Sequence, residues 1–272
     1  MGNIPPAATN GPIWLVGCGN LGRAMLDGWL VGGVDPDTLT VINPGPRVLP
    51  AGVHYAPKPA AARSQPAIIV LAVKPAQFGA VAAMLAPHAA GTLLLSVLAG
   101  VRVAQLAAVF PGARLARALP STPARVRQGI TLFAADAIDD ADRAAATALM
   151  GTLGSTYWIG ETAFDAATAI ASSSPAWLFR WIDALGSAGA AAGLDPLLAH
   201  RLAIDAAAGA GAYARAAERP MADLAREVAS PGGMTQAGLD VLDTRDGLAA
   251  LMLHAVEAAV ARAAELAREA DA

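Results

Sequence analysis

Apolar residues follow two different rhythms along this chain. In the first half, short unbroken apolar runs alternate with stretches of helical spacing. Ile13-Trp14-Leu15-Val16 is the first run, and it leads straight into Gly17-Cys18-Gly19-Asn20-Leu21-Gly22. Ala24, Met25, Leu26, Trp29 and Leu30 then recur at helical spacing. Leu39–Asn43 reads as a second strand, Val53–Tyr55 as a short one, and Ala67–Val73 as a strand buried on both faces. Further strands are expected at Thr92–Val97, Arg114–Leu119 and Gly129–Ala134, with Thr156–Gly160 as an edge strand. Helices are expected over Ala76–Leu85, Val103–Val109 and Asp139–Met150. Strands alternating with helices predict a parallel, doubly wound sheet.

From Glu161 the rhythm changes to helix alone. One helix is predicted over Glu161–Ala171. Ser174-Pro175 reads as the N-cap and first position of the next, which Gly193 ends. Asp195-Pro196 starts a third in the same way, running to Glu218. Met221–Val228, a helix ending at Leu242 and a closing helix over Asp246–Glu269 complete the pattern. The predicted fold class is therefore α/β: an N-terminal Rossmann-type doubly wound sheet in residues 1–160, then an all-helical domain in residues 161–272.

Strand, glycine turn and helix in that order are the context in which G-x-G-x-x-G denotes a dinucleotide site. Gly17 allows the tight turn, Gly19 the approach of a pyrophosphate to the backbone, and Gly22 close packing of helix on strand. The helix-start amides and macrodipole then favour the phosphates. Ligands of such sheets bind beyond the carboxyl ends of the strands. That rule gathers the Gly17–Gly22 loop, Val73-Lys74-Pro75, the Ala99-Gly100 turn and Ser121-Thr122 around one crevice. At the end of the second strand an NAD-specific protein places a carboxylate against the ribose 2′-hydroxyl. Here the residue is Asn43, and Arg47 follows closely. A 2′-phosphate suits that pattern, so NADP(H) is expected, with NAD(H) the weaker alternative.

Composition narrows the rest. The 272 residues are long enough for two domains, and 55% are apolar with only 5% aromatic, a balance set by alanine. The net charge of -3 carries no footprint for nucleic acid or an anionic membrane. Cys18 is the single cysteine, so no internal disulfide forms and a reducing, cytoplasmic compartment is expected. The four histidines (His54, His88, His200 and His254) show no metal-ligand spacing, so no metal is expected. Met1–Pro12 lacks the basic and apolar stretches of a signal peptide and reads as a short lead-in.

A nicotinamide fold followed by helices suits either a hydroxy-acid dehydrogenase with a lysine acid/base or a reductase of C=N bonds. No lysine follows Lys74, so the helical half cannot supply one. A protonated imine is already electrophilic and needs positioning and a hydrogen-bonding group more than a strong base. Ser230-Pro231-Gly232-Gly233-Met234-Thr235 can meet that need. Glycines before a helix start expose amides to a carboxylate, Ser230 adds a hydroxyl, and Thr235 could face the imine nitrogen. The same residues also read as a plain turn opening a helix.

Taken together, these motifs resemble the pyrroline-5-carboxylate reductase family from Ile13 to Leu266. The glycine loop matches, as does Ala72-Val73-Lys74-Pro75. Leu119–Pro123 followed by Gly129–Thr131 resembles its M-P-N-T-P…G segment. Asp165–Trp177 resembles its D-A-x-T-x-L-S-G-S-G-P-A-Y signature, Ser230–Thr235 its S-P-G-G-T/A-T signature, and Ala255–Leu266 its last helix. The resemblance implies reduction of L-1-pyrroline-5-carboxylate to L-proline by NADPH, in a homodimer or ring of dimers with intertwined helical domains. It implies an active site shared between one subunit's nucleotide domain and its partner's helical domain. The cofactor would meet Gly17, Cys18, Gly19, Asn20, Leu21, Gly22, Asn43, Arg47, Ala72, Val73, Lys74, Pro75 and Ser121. The substrate carboxylate would meet Ser230, Gly232, Gly233, Met234 and Thr235, with Thr235 catalytic at the ring nitrogen. Three departures stand out: Ser121 replaces the usual Asn, Ser172 and Ser174 replace glycines, and Met234 replaces Thr or Ala. Ser172 would be strained if its backbone required positive φ. The departures leave open another cyclic imine acid as substrate, or an NADP-binding sensor without turnover.

Overall fold

The computed structural model describes residues 11–271. Most of the expected lead-in, residues 1–10, lies outside the described residues. Among the described residues eight strands form one sheet: β1 (Ile13–Val16), β2 (Leu39–Ile42), β3 (His54–Ala56), β4 (Ile68–Leu71), β5 (Leu93–Ser96), β6 (Arg114–Pro120), β7 (Gly129–Ala134) and β8 (Gly154–Trp158). Their order is β3-β2-β1-β4-β5-β6-β7-β8. All pairings are parallel except β6 with β7. The chain leaves β1 toward β2 and β3, then crosses back to β4. That reversal beside β1 opens the crevice in which such sheets bind ligands.

Five helices belong with the sheet: α1 (Asn20–Val31), α2 (Phe78–Ala89), α3 (Val103–Val109), α4 (Asp140–Gly151) and α5 (Phe164–Thr168). Strand residues alternate between two helical layers because successive side chains point to opposite faces. Ile13 and Leu15 pack with Met25, Leu26 and Trp29 of α1 and Leu149 and Met150 of α4. Trp14 and Val16 pack with Ala82 and Leu85 of α2 and Leu106 of α3. Both faces are thus covered, which is why these strands read as unbroken apolar runs.

Boundaries moved where local geometry overrode periodicity. The segment expected as helix Ala76–Leu85 opens with a 3₁₀ turn at Pro75–Gln77, and α2 continues to Ala89. The edge strand begins at Gly154, two residues before the expected Thr156. Gly154 has φ +139°, and a Cβ there would collide with the Gly129 carbonyl. Only glycine can enter the strand at that point.

Contacts group the described residues into two compact units that adjoin along the chain at Ser173. One compact unit runs to Ser173 and takes in Val260 onward; the other spans Ser174–Ala259. Residues 161–173 join the first because Phe164 and Ala171 bury against Leu132 and Ala134 of β7. The single helix expected over Glu161–Ala171 is instead a 3₁₀ turn at Glu161–Ala163, then α5, then a π turn at Ala169–Ser173. Pro175 offers no N–H for the carbonyl four residues back, and a π turn is one way a chain absorbs that loss. Ser174 is accordingly not the separate N-cap the sequence suggested: α6 (Ser174–Ala191) follows the π turn directly. Ser172 carries no backbone strain, since Arg127 and Glu218 are the non-glycine residues with positive φ among the described residues.

The second unit holds α6, α7 (Pro196–Ala217), α8 (Met221–Val228), α9 (Met234–Leu242) and the start of α10 (Leu248–Asp271). Asp195 caps α7 by accepting the Leu198 N–H at 2.9 Å, as the Asp-Pro pair predicted. Gly186 lets α6 and α7 approach: a Cβ there would sit 2.8 Å from the His200 ring. Large apolar side chains of this unit, including Leu178, Phe179, Leu197, Ile204, Val241 and Leu251, are more than half exposed in the single chain. No helix among the described residues is long and apolar enough to cross a membrane.

Candidate active site

The crevice at the switch point is a cleft of about 440 Å³. Its floor is the glycine turn between β1 and α1. The Gly17 N–H donates to the Ile42 carbonyl at 2.9 Å, and the Ala72 N–H to the Val16 carbonyl at 2.7 Å. The turn is therefore wedged between the ends of β2 and β4. Gly17 has φ +92°, and a Cβ on it would lie 2.5 Å from the Ala72 carbonyl oxygen. A Cβ on Gly22 would strike the Gly17 carbonyl. Gly19 differs: a Cβ there would meet nothing within 4 Å. The protein leaves that side of the turn open, as a dinucleotide's pyrophosphate requires. Gly19 is also the N-cap of α1, with no side-chain cap bond and no acidic residue in the first turn. The first amides of α1 thus remain available to an anion.

Gly17, Cys18, Gly19, Asn43, Arg47, Ala72, Val73 and Lys74 line the cleft as the sequence predicted. Arg47, Lys58 and Lys74 are its cations, and no carboxylate lines it. Asn43 ties the walls together. Its Oδ1 accepts the Cys18 N–H at 3.4 Å and its Nδ2 donates to the Gly45 carbonyl at 2.8 Å. Its own carbonyl accepts the Tyr55 hydroxyl at 3.0 Å. Burial pushes the Cys18 thiol up, against the opposing pull of Arg23 and Arg47. Cys18 is a buried filler whose side chain joins the core.

Several expected residues lie elsewhere. Leu21 packs on the core and Gly22 against the turn, so both shape the loop from behind. Asn20 lines a separate hollow with Arg23, Ala24, Asp27 and Arg125. Pro75 opens the 3₁₀ turn after Lys74 and is not a lining residue. Ser121 does not line the cleft either. It is 3% exposed, and its hydroxyl accepts the Ile130 N–H at 2.9 Å, clasping β6 to β7. Conversely Lys58 and Gln77 line the cleft and were not anticipated. Lys58 could have been found: it and Lys74 are the chain's two lysines, and it lies two residues past the end of β3, the strand paired with β2.

In the second unit, Ser230–Gly233 forms a turn in which the Gly233 N–H donates to the Ser230 carbonyl at 2.9 Å. Gly232 supplies φ +70°. Gly233 is the N-cap of α9, again without a side-chain cap bond. The Gly233 amide is thus taken up by the turn and cannot bind a carboxylate, whereas those of Met234 and Thr235 stand open at the helix start. Thr235 is exposed and Met234 is 94% exposed. No group of His, Cys, Asp or Glu among the described residues could hold a metal ion.

Comparison with known proteins bears on both halves. Residues 12–100 match the family model described as NADP oxidoreductase coenzyme F420-dependent. Residues 161–266 match that described as pyrroline-5-carboxylate reductase dimerisation. The chain is 36% identical over 257 residues to pyrroline-5-carboxylate reductase of Thermus thermophilus, covering 92% of this chain and 97% of that one. The chain belongs to the pyrroline-5-carboxylate reductase family. The Pseudomonas aeruginosa member is 34% identical over 266 residues, 94% of this chain and 97% of that one. Among solved structures, the Coxiella burnetii reductase superposes with TM-score 0.88 at 30% identity, covering 94% of this chain and 98% of that one. The Plasmodium falciparum enzyme, solved with NADP bound, gives 0.82 at 25% identity over 95% and 99%. Membership makes this chain an NAD(P)-dependent oxidoreductase, and the open, carboxylate-free cleft fits such a cofactor.

Proposed function

We propose that this protein reduces L-1-pyrroline-5-carboxylate to L-proline with NADPH, the last step of proline biosynthesis. The observation that carries the reading is a full-length relationship to these reductases in a chain that keeps the glycine turn and the Ser230–Thr235 turn. NADPH, when bound, supplies a hydride to the carbon of the C=N bond. The α1 amides, the turn shaped by Gly17 and Gly19, the adjoining wall of Ala72–Lys74 and Arg47 would hold it, with Arg47 serving the ribose 2′-phosphate. Three cations and no carboxylate suit a ligand with three phosphates, and favour NADPH over NADH. The Met234 and Thr235 amides and the Ser230 hydroxyl hold the substrate carboxylate. The Thr235 hydroxyl accepts the N–H of the protonated ring nitrogen, fixing the electrophilic carbon for attack from one face.

Exposed apolar side chains on α6, α7, α9 and α10 support a homodimer formed through residues 161–272. A single buried cysteine fits a reducing cytoplasm. Mixing purified protein with NADPH and racemic pyrroline-5-carboxylate should deplete the nicotinamide absorbance, more slowly with NADH. No depletion, with NADPH binding verified separately, would sink the reading. Met234, exposed at the helix start where the family has Thr or Ala, changes the side chain bordering the substrate and motivates one second reading, another cyclic imine acid such as a six-membered one. The ratio of kcat/KM on five- and six-membered rings decides between them.

Thr235→Ala should lower kcat/KM by about 1–3 kcal/mol of transition-state stabilisation while cofactor affinity stays constant. Thr235→Ser should restore most of the loss. An unchanged kcat/KM in the alanine variant would remove Thr235 from the site.

A further inference from the structure

Of the 19 basic residues, 17 are arginine, and both lysines line the cofactor cleft. Lys74 belongs to a motif the sequence already singled out. Lys58 has no assigned role. It follows β3, the strand paired in parallel with β2, with Ile42 opposite Ala56. The Asn43 N–H donates to the Ala56 carbonyl at 3.1 Å, and the Tyr55 hydroxyl to the Asn43 carbonyl at 3.0 Å. The loop carrying Arg47 and the segment Pro57-Lys58-Pro59 therefore leave the sheet side by side, at the end of β2. This is where the ribose 2′ substituent sits in a doubly wound nucleotide fold.

The Lys58 backbone is held. Its φ is -157° and its ψ 158°, prolines flank it, Pro59 is buried, and its carbonyl accepts the Ala61 N–H at 3.0 Å. Its side chain, by contrast, is exposed and makes no ion pair among the described residues, and the same holds for Arg47. Two cations without an acidic partner in one cleft make it positive and favour an anion there. A 2′-phosphate carries about two negative charges at neutral pH, enough to engage both. Arginine offers a planar fork and lysine a compact point charge, so they can share three phosphate oxygens without competing for one direction.

We infer that Lys58 is a second ligand of the ribose 2′-phosphate, and that this chain divides its selection of NADPH over NADH between Arg47 and Lys58. The inference rests on the NADPH reading above. It gives the edge strand β3 a function: it presents a cation that the β2 loop alone does not supply.

Amine acetylation of the intact protein by an N-hydroxysuccinimide ester, read by peptide mass spectrometry, tests it without turnover. NADPH at concentrations shown by nicotinamide fluorescence to fill the site should slow acetylation of Lys58 at least about five-fold. NADH filling the same site should slow it less than two-fold. Lys58→Gln should raise the Kd for NADPH about ten-fold, the scale of one charge-assisted hydrogen bond, and leave that for NADH within two-fold. Arg47→Ala should add to that loss. Equal protection of Lys58 by both cofactors, or none by NADPH, would overturn the assignment while leaving the cofactor reading intact. Failure of NADPH to bind the unmodified protein at all would overturn both, and the fluorescence titration separates the two failures.

Discussion

Gly17→Ala is expected to weaken NADP(H) binding at least about 100-fold and to lower stability by about 2–4 kcal/mol, because strain and collision act at once. At φ +92° an L-residue sits in a region it avoids, at a cost of about 1–2 kcal/mol. Its Cβ would also lie 2.5 Å from the Ala72 oxygen and 2.8 Å from the Ala72 carbonyl carbon. Those are backbone atoms at the end of β4, fixed by the Ala72-to-Val16 hydrogen bond, and no rotamer change relieves them. The turn must shift, and the cleft with it. Gly19→Ala separates the two effects. Its Cβ meets no protein atom, so stability measured by urea denaturation should stay near that of the parent. Binding measured by nicotinamide fluorescence should nonetheless fall if the pyrophosphate approaches Gly19 as proposed, because the added methyl group would stand in its way. Equal destabilisation by both substitutions would show that Gly19 is a structural residue only.

Arg117→Met is expected to destabilise the protein by about 2–4 kcal/mol, since it strands a largely buried charge. Arg117 is 7% exposed in the middle of β6. Its guanidinium donates to Glu161 Oε1 at 2.6 Å and lies 4.0 Å from the centre of the Phe164 ring. Glu161 Oε2 is already buried without a hydrogen-bond partner. Removing the arginine leaves the whole carboxylate unpaired, although the partial exposure of Glu161 keeps the loss below that of a fully buried pair. The pair and the ring contact bind the 161–173 segment to the sheet, and that segment loses its anchor. Urea denaturation of Arg117→Met, Glu161→Gln and the double variant forms a cycle. The double variant should lose clearly less than the sum of the single losses. Strict additivity would mean that the two residues do not act as a pair.

Glycines show how much of the site was legible in the linear chain. Gly17 has the positive φ that a tight turn implied, and a Cβ on Gly22 would strike the Gly17 carbonyl, so α1 starts directly against that turn. That reading works because φ > 0 and Cβ collisions are short-range and follow from residue type. The same holds for Asp195 as a cap and for the apolar strand runs, whose burial on both faces is a property of parallel sheets. Ser121 and Gly233 were misplaced for the opposite reason. Whether a hydroxyl or an amide faces a ligand or another part of the backbone depends on its partner. Ile130 is that partner for Ser121, and the Ser230 carbonyl for Gly233.

Local pattern by itself determined the strand–helix alternation, the nucleotide turn, the helical second half and the residues on which family membership rests. Each is encoded in periodicity or backbone preference within a few residues. Tertiary structure alone decided that residues 161–173 fold with the sheet, through Arg117, Phe164 and the face of β7. It alone decided that Lys58 joins Arg47 at one cleft, because parallel pairing of β2 with β3 brings together loops that the sequence keeps apart. Long-range charge and packing act only once the sheet order exists, and no local window of the chain contains that order.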